Sequence, residues 1–124
     1  AVEIPVSILG RLAPQRTSWE VPVDRVANLG RGDDAAILRW GTQGEQVLSC
    51  DHFRAFTLDP YVLAQIAANH ALGDVWAMGA EPQAALASII LPAMSADKQT
   101  QTLREITQGL QQVLQAAGAD LVGG

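Results

Sequence analysis

From Asp59 to Gly79 the chain reads as one continuous helix that is apolar around most of its circumference. This stretch constrains the fold more than any other. Asp59 can accept hydrogen bonds from the free amides of a first turn, and proline suits the first helical position, where Pro60 stands. Gly79 supplies the stop. The apolar set is Val62, Leu63, Ile66, Ala67, Val75 and Trp76, with alanines and leucine filling much of the remainder. A helix of this kind is stable only when neighbouring elements cover it, so it is expected to be largely buried. Asp74 is the anomaly, a carboxylate deep inside the apolar run.

The flanking segments supply that cover. Ala84 to Leu91 is an unbroken apolar run closed by Pro92, which reads as a strand covered on both sides. Between Asp97 and Ala117, residues Leu103, Ile106, Leu110, Val113, Leu114 and Ala117 recur at three and four, giving a second, amphipathic helix that Gly118 ends. Ala119 to Val122 reads as a last strand. Upstream, Ala35–Trp40 and Gln46–Asp51 are short apolar runs split by Gly41-Thr42-Gln43-Gly44-Glu45, a hairpin signal. Residues 53–57 suggest a third short strand. Residues 6–13, with Val6, Ile8, Leu9 and Leu12, read as a short amphipathic helix stopped by Pro14, and residues 15–32 as a loop. The alternation of helices with strands predicts an α/β (α+β) domain with a mixed sheet and helices packed on one face.

At 124 residues and 48% apolar content the chain is one domain with a real core, not a disordered segment. Its net charge is −5 and no basic run occurs, which argues against non-specific nucleic-acid binding. No apolar run approaches the roughly 20 residues that span a bilayer, and no secretory leader is visible. Cys50 is the single cysteine, read as a buried structural thiol. A cytoplasmic protein follows as the expectation. The ending Leu121-Val122-Gly123-Gly124 reads as a buried strand entering a glycine turn, as in a piece of a longer protein.

The acids carry the chemistry. Gly30-Arg31-Gly32-Asp33-Asp34-Ala35-Ala36 sets two aspartates in a glycine turn, Asp51 follows the apolar run Val47-Leu48-Ser49-Cys50, and Asp74 lies in the long helix. Carboxylates at the edges of buried elements repel one another unless a cation joins them. Hard oxygen ligands suit Mg²⁺, which commonly arrives with a phosphate-rich substrate. Simpler roles stand beside this one. Asp33-Asp34 is also good turn chemistry, Asp51 can end a strand, and Asp74 can pair with His70 four residues earlier. Asn69 and Asp74 differ by about 140° around an ideal helix, so both reach one site only if it wraps the helix. Gly30-x-Gly32-x-x-Ala35 imitates a dinucleotide fingerprint but leads into a strand instead of a helix, and no P-loop sequence is present.

Taken together, Asp33-Asp34-Ala35-Ala36, Ser49-Cys50-Asp51-His52-Phe53, the run from Asp59-Pro60-Tyr61 through Asn69-His70-Ala71-Leu72-Gly73-Asp74 to Ala77-Met78-Gly79, and Ala117 to Gly124 resemble the N-terminal domain of the selenophosphate synthetase (selenide, water dikinase) family. That family lies within the superfamily of aminoimidazole ribonucleotide synthetase and thiamine-monophosphate kinase. The resemblance covers about Val2 to Gly124. It implies that Asp34 and Asp74 hold Mg²⁺ with Asn69 as an additional ligand. It also implies that Asp33, Asp51, Asp74, Gly123 and Gly124 contact ATP or its metal shell, in the N-terminal ATP-binding domain of a homodimer closed as a β-barrel.

The implied reaction is ATP-dependent phosphorylation of selenide to selenophosphate, with AMP and phosphate as the other products. The chain departs from the family pattern in three ways. The glycine-rich segment with a catalytic Cys or Sec and a Lys is absent, as is the family's second domain, so this stretch alone is not expected to complete the reaction. Gly73 stands where a Ser is usual, and Cys50 where a Thr is. Some relatives are fused to a flavin oxidoreductase, a possible parent for this chain. Two alternatives stand beside the selenium reading: a sibling enzyme of the thiamine-monophosphate kinase or aminoimidazole ribonucleotide synthetase type, and a non-catalytic dimerisation module.

Overall fold

A computed structural model describes residues 1–12, 34–39 and 44–124. The elements run β1 (Glu3–Leu12), β2 (Ala36–Arg39), β3 (Glu45–Arg54), α1 (Pro60–Ala77), β4 (Ala80–Ala87), α2 (Ala96–Ala116) and β5 (Asp120–Gly123). The strands form one mixed sheet in the order β2-β3-β1-β4-β5. All neighbours are antiparallel except β4 and β5, which are parallel and joined through α2.

The amphipathic helix read at residues 6–13 is instead the central strand of this sheet. Burial along β1 alternates, with Ile4, Val6 and Ile8 fully buried and their neighbours part-exposed. That is the period of a strand. Spacing among Val6, Leu9 and Leu12 mimics a helix, but Leu9 pairs with Leu48 on the face opposite Val6. With β3 on one side and β4 on the other, the β1 amides other than that of Pro5, which has no N–H, can join a ladder, and β-branched residues fit that pleat well. Two smaller expectations also change. Residues 53–57 add no strand of their own, because β3 runs unbroken to Arg54. Among the described residues β4 is covered on one face only: Ala85 and Ala87 are buried while Leu86 is 48% exposed. The loop expected over 15–32 lies outside the described residues.

Both helices are where the sequence puts them. Asp59 caps α1 by accepting from the amides of Tyr61 and Val62 at 3.0 and 3.3 Å. Ser95 caps α2 by accepting from the Lys98 amide at 3.3 Å. The buried face of α1 is Leu63, Ala64, Ala67, Ala68, Ala71, Leu72 and Val75, and these alanines let the helix lie close. A Cβ on Gly109 of α2 would stand 2.6 Å from the Tyr61 carbonyl oxygen and 2.9 Å from Ala64 Cβ, so the two helices cross at a glycine. Ile106, Leu110 and Leu114 of α2 complete the core, whereas Leu103 is 45% exposed.

Candidate functional site

The inner face of β3 turns polar part of the way along. Val47 and Ser49 are buried, and the next residue on that face, Asp51, is half-buried beside Val6. One Asp51 oxygen, Oδ1, accepts from the backbone amide of His52 at 3.1 Å. The other, Oδ2, is shut off from solvent and makes no hydrogen bond. It nonetheless lies 3.2 Å from Nε2 of His70 on α1, so that contact is an ion-pair approach without hydrogen-bond alignment. The Phe53 ring meets the His70 ring edge-on, with centroids 5.3 Å apart and planes at 72°.

Asp74 lies one helical turn beyond His70, and burial is the chief reason its pKa is raised above the ordinary 3.8. The charges of Asp51 and then Asp34 raise it further, while His70 lowers it. Asp34, Asp51 and Asp74 come from a strand approach, a strand and a helix, yet the charges of Asp51 and Asp34 both reach Asp74. Folding therefore gathers three acids that are remote in sequence. Among the described residues no group of three or more His, Cys, Asp and Glu side chains is close enough to cage a metal ion unaided. The donor set nevertheless fits Mg²⁺, which keeps several waters and takes one or two carboxylates plus phosphate oxygens. A carboxylate oxygen without a hydrogen bond and acids that raise one another's cost of ionisation are what a divalent cation would relieve.

Other residues singled out by sequence fall as follows. Asp33 lies outside the described residues. Asn69 is exposed, and its amide donates to the Gln65 carbonyl at 3.1 Å, turned back along its own helix. Gly123 ends β5, and Gly124 follows with a φ of 140°. A Cβ on Gly124 would overlap the Ala87 backbone. Ala87 pairs with Val6, which pairs with Asp51, so Gly124 and Asp51 end one cross-strand row. Three interstrand spacings of ~4.8 Å put them about 14 Å apart. Cys50 is exposed, contrary to the buried thiol expected. Ser49 and Asp51 point inward, so the strand period turns Cys50 outward onto a face the described residues leave uncovered. His70 is the residue whose role changes most. Sequence offered a pair with Asp74 as one role for it, whereas its imidazole sits on Asp51. Its spacing of four from Asp74, on one helix face, was the available signal.

The sequence profile of the family described as "AIR synthase related protein, N-terminal domain" matches residues 32–124. Among curated proteins, a selenide, water dikinase from Pelobacter propionicus is 36% identical over 85% of this chain and 30% of its own length. One from Clostridioides difficile is 33% identical over 98% of this chain and 33% of its own. One from Nitratidesulfovibrio vulgaris is 40% identical over 74% and 26%. The chain thus spans about a third of the length of these relatives. No solved structure matches it. The mixed sheet with both helices on one face agrees with the family match, and the chain belongs to the AIR synthase related proteins, as their N-terminal domain.

Proposed function

We propose that this domain is the Mg-ATP-binding part of a selenide, water dikinase, the protein that makes selenophosphate from selenide and ATP. The observation that carries the reading is that the carboxylates of Asp51 and Asp34 both act on Asp74, in a chain whose curated relatives bear that name. Asp34 and Asp74 would hold Mg²⁺, with Asp51 and Asp33 at the metal shell or the nucleotide. Asn69 joins only if its amide leaves Gln65. Backbone without side chains at Gly123-Gly124 would let a phosphate approach it, and a row of about 14 Å from Asp51 would leave room for a nucleotide's phosphates between the two ends.

When bound, Mg²⁺ neutralises the triphosphate and stabilises charge on the transferring phosphoryl group. The carboxylates position and orient. Asp51 is held through Oδ1 by the His52 amide, which aims Oδ2 inward. Partial burial and the neighbouring carboxylates that raise the Asp74 pKa make its ionised form costly, a cost a bound cation would offset. No residue of the described set supplies the acceptor's nucleophile, so selenide as acceptor rests on the relatives' names.

A homodimer belongs to the same reading. Leu9, Leu38, Leu48 and Leu86 lie on the outer sheet face, and the last three are at least 38% exposed. A second copy would cover them, as the β-barrel arrangement requires. Among the described residues no helix is long and apolar enough to cross a membrane, and a cytoplasmic setting completes the proposal.

Isothermal titration of the intact protein with ATP, with and without Mg²⁺, tests the reading. Metal-dependent binding that is lost in Asp34→Ala and Asp74→Ala is the expected result. A folded dimer indifferent to Mg-ATP would point instead to a dimerisation module.

A further inference from the structure

His70 plays no part in the reaction outlined above, yet it bridges two of the elements that carry the site. Its Nε2 stands 3.2 Å from Asp51 Oδ2, an ion pair that reaches from α1 to β3. Among the described residues His70 is the one ionic partner of this carboxylate. The other oxygen, Oδ1, is engaged by the His52 amide at 3.1 Å, so Asp51 is held at both ends.

The imidazole is itself steadied from the strand. Phe53 lies two residues beyond Asp51 on the same face of β3, and its ring meets the His70 ring edge-on with centroids 5.3 Å apart. Phe56 backs Phe53 edge-on at 5.7 Å. β3 therefore grips His70 at two points, through a carboxylate and through an aromatic ring. Asp74 follows one helical turn after His70 on α1. Fixing His70 on β3 thus fixes how far Asp74 stands from Asp51. Two like charges left to themselves would move apart, and a loose separation suits a cation poorly.

We propose that His70 is a positioning residue, whose contacts with Asp51 and Phe53 hold α1 on β3 at the spacing at which Asp51 and Asp74 receive Mg-nucleotide. The inference rests on the Mg-ATP reading and deepens it. In this role His70 touches neither metal nor nucleotide. Nor does it add much to overall stability, because its side chain is 59% exposed and so open an ion pair contributes little. Its effect falls on ligand affinity, as it does for other side chains that orient metal-binding carboxylates.

The test compares wild type, His70→Gln and His70→Asn in the intact protein. Glutamine can set its amide nitrogen close to where Nε2 stands, whereas asparagine is too short to reach Asp51. Isothermal titration with ATP in the presence of Mg²⁺ is the main readout, and thermal melts without ligand are the control. His70→Asn is expected to lose about tenfold or more in metal-dependent affinity while its melting temperature stays near that of wild type. His70→Gln should recover most of the lost affinity. Equal affinity in all three proteins, or equal losses in both variants, overturns the positioning role and leaves the Mg-ATP reading standing. Wild-type protein without metal-dependent ATP binding overturns both. Should His70→Asn fail to fold, His70→Ala takes its place in the same comparison.

Discussion

Gly10 of β1 lies directly beneath Val75 of α1: a Cβ at Gly10 would stand 2.5 Å from Val75 Cγ1 and 2.9 Å from Val47 Cγ2. Val75 is the residue after Asp74, so this contact sets how closely the helix carrying one site carboxylate approaches the sheet, in which the neighbouring strand β3 carries another. Gly10→Ala is expected to destabilise the protein by about 1–3 kcal/mol through overpacking. It should also weaken metal-dependent nucleotide binding by lifting Asp74 away from Asp51. Urea denaturation and isothermal titration measure the two effects. A variant equal to wild type in both would show that α1 is not seated on Gly10.

Asp74→Asn should stabilise the protein without ligand. Because the folded-state pKa is raised above the ordinary 3.8, the folded chain holds this proton more tightly than the unfolded chain does. Stability therefore falls as pH climbs from about 3.8 to the raised value, and the cost is complete above it. The melting-temperature gap between variant and wild type should open over that window and stay constant near neutrality. Saturating Mg²⁺ and nucleotide should reverse the order, because only wild type gains from binding.

Gly73 sits on the exposed side of α1, and a Cβ there meets nothing within 4 Å. Gly73→Ala should therefore add about 1 kcal/mol of stability by restoring helix propensity and restricting the unfolded chain. Thermal melts check this. Stabilisation combined with weaker nucleotide binding would place the ligand against this turn.

Leu48 and Leu86 project from the outer sheet face at 40% and 48% exposure. Leu48→Arg and Leu86→Arg should each shift the protein from dimer toward monomer in sedimentation velocity, since an unpaired charge buried in an apolar interface is strongly unfavourable. A wild-type protein that sediments as a monomer at high concentration would remove the basis for this expectation.

Sequence alone determined the two helices, the cap at Asp59 and the stops near Gly79 and Gly118, the antiparallel neighbours β2 and β3 and the final strand, because those signals act within a few residues. It also marked Asp34, Asp51 and Asp74 as acids too close to apolar elements to be ordinary surface charges. Tertiary structure decided the rest. Val6, Ile8, Leu9 and Leu12 satisfy a helical and a strand period alike, and only pairing with β3 and β4 on both sides selects the strand. Whether Cys50 faces inward depends on which side of the sheet the helices occupy, a choice made by packing and not by its neighbours in the chain. The same holds for His70, whose partner is Asp51, 19 positions away. Local spacing offers Asp74, but the crossing of α1 over the sheet carries the imidazole to a strand, and such contacts depend on the docking of whole elements.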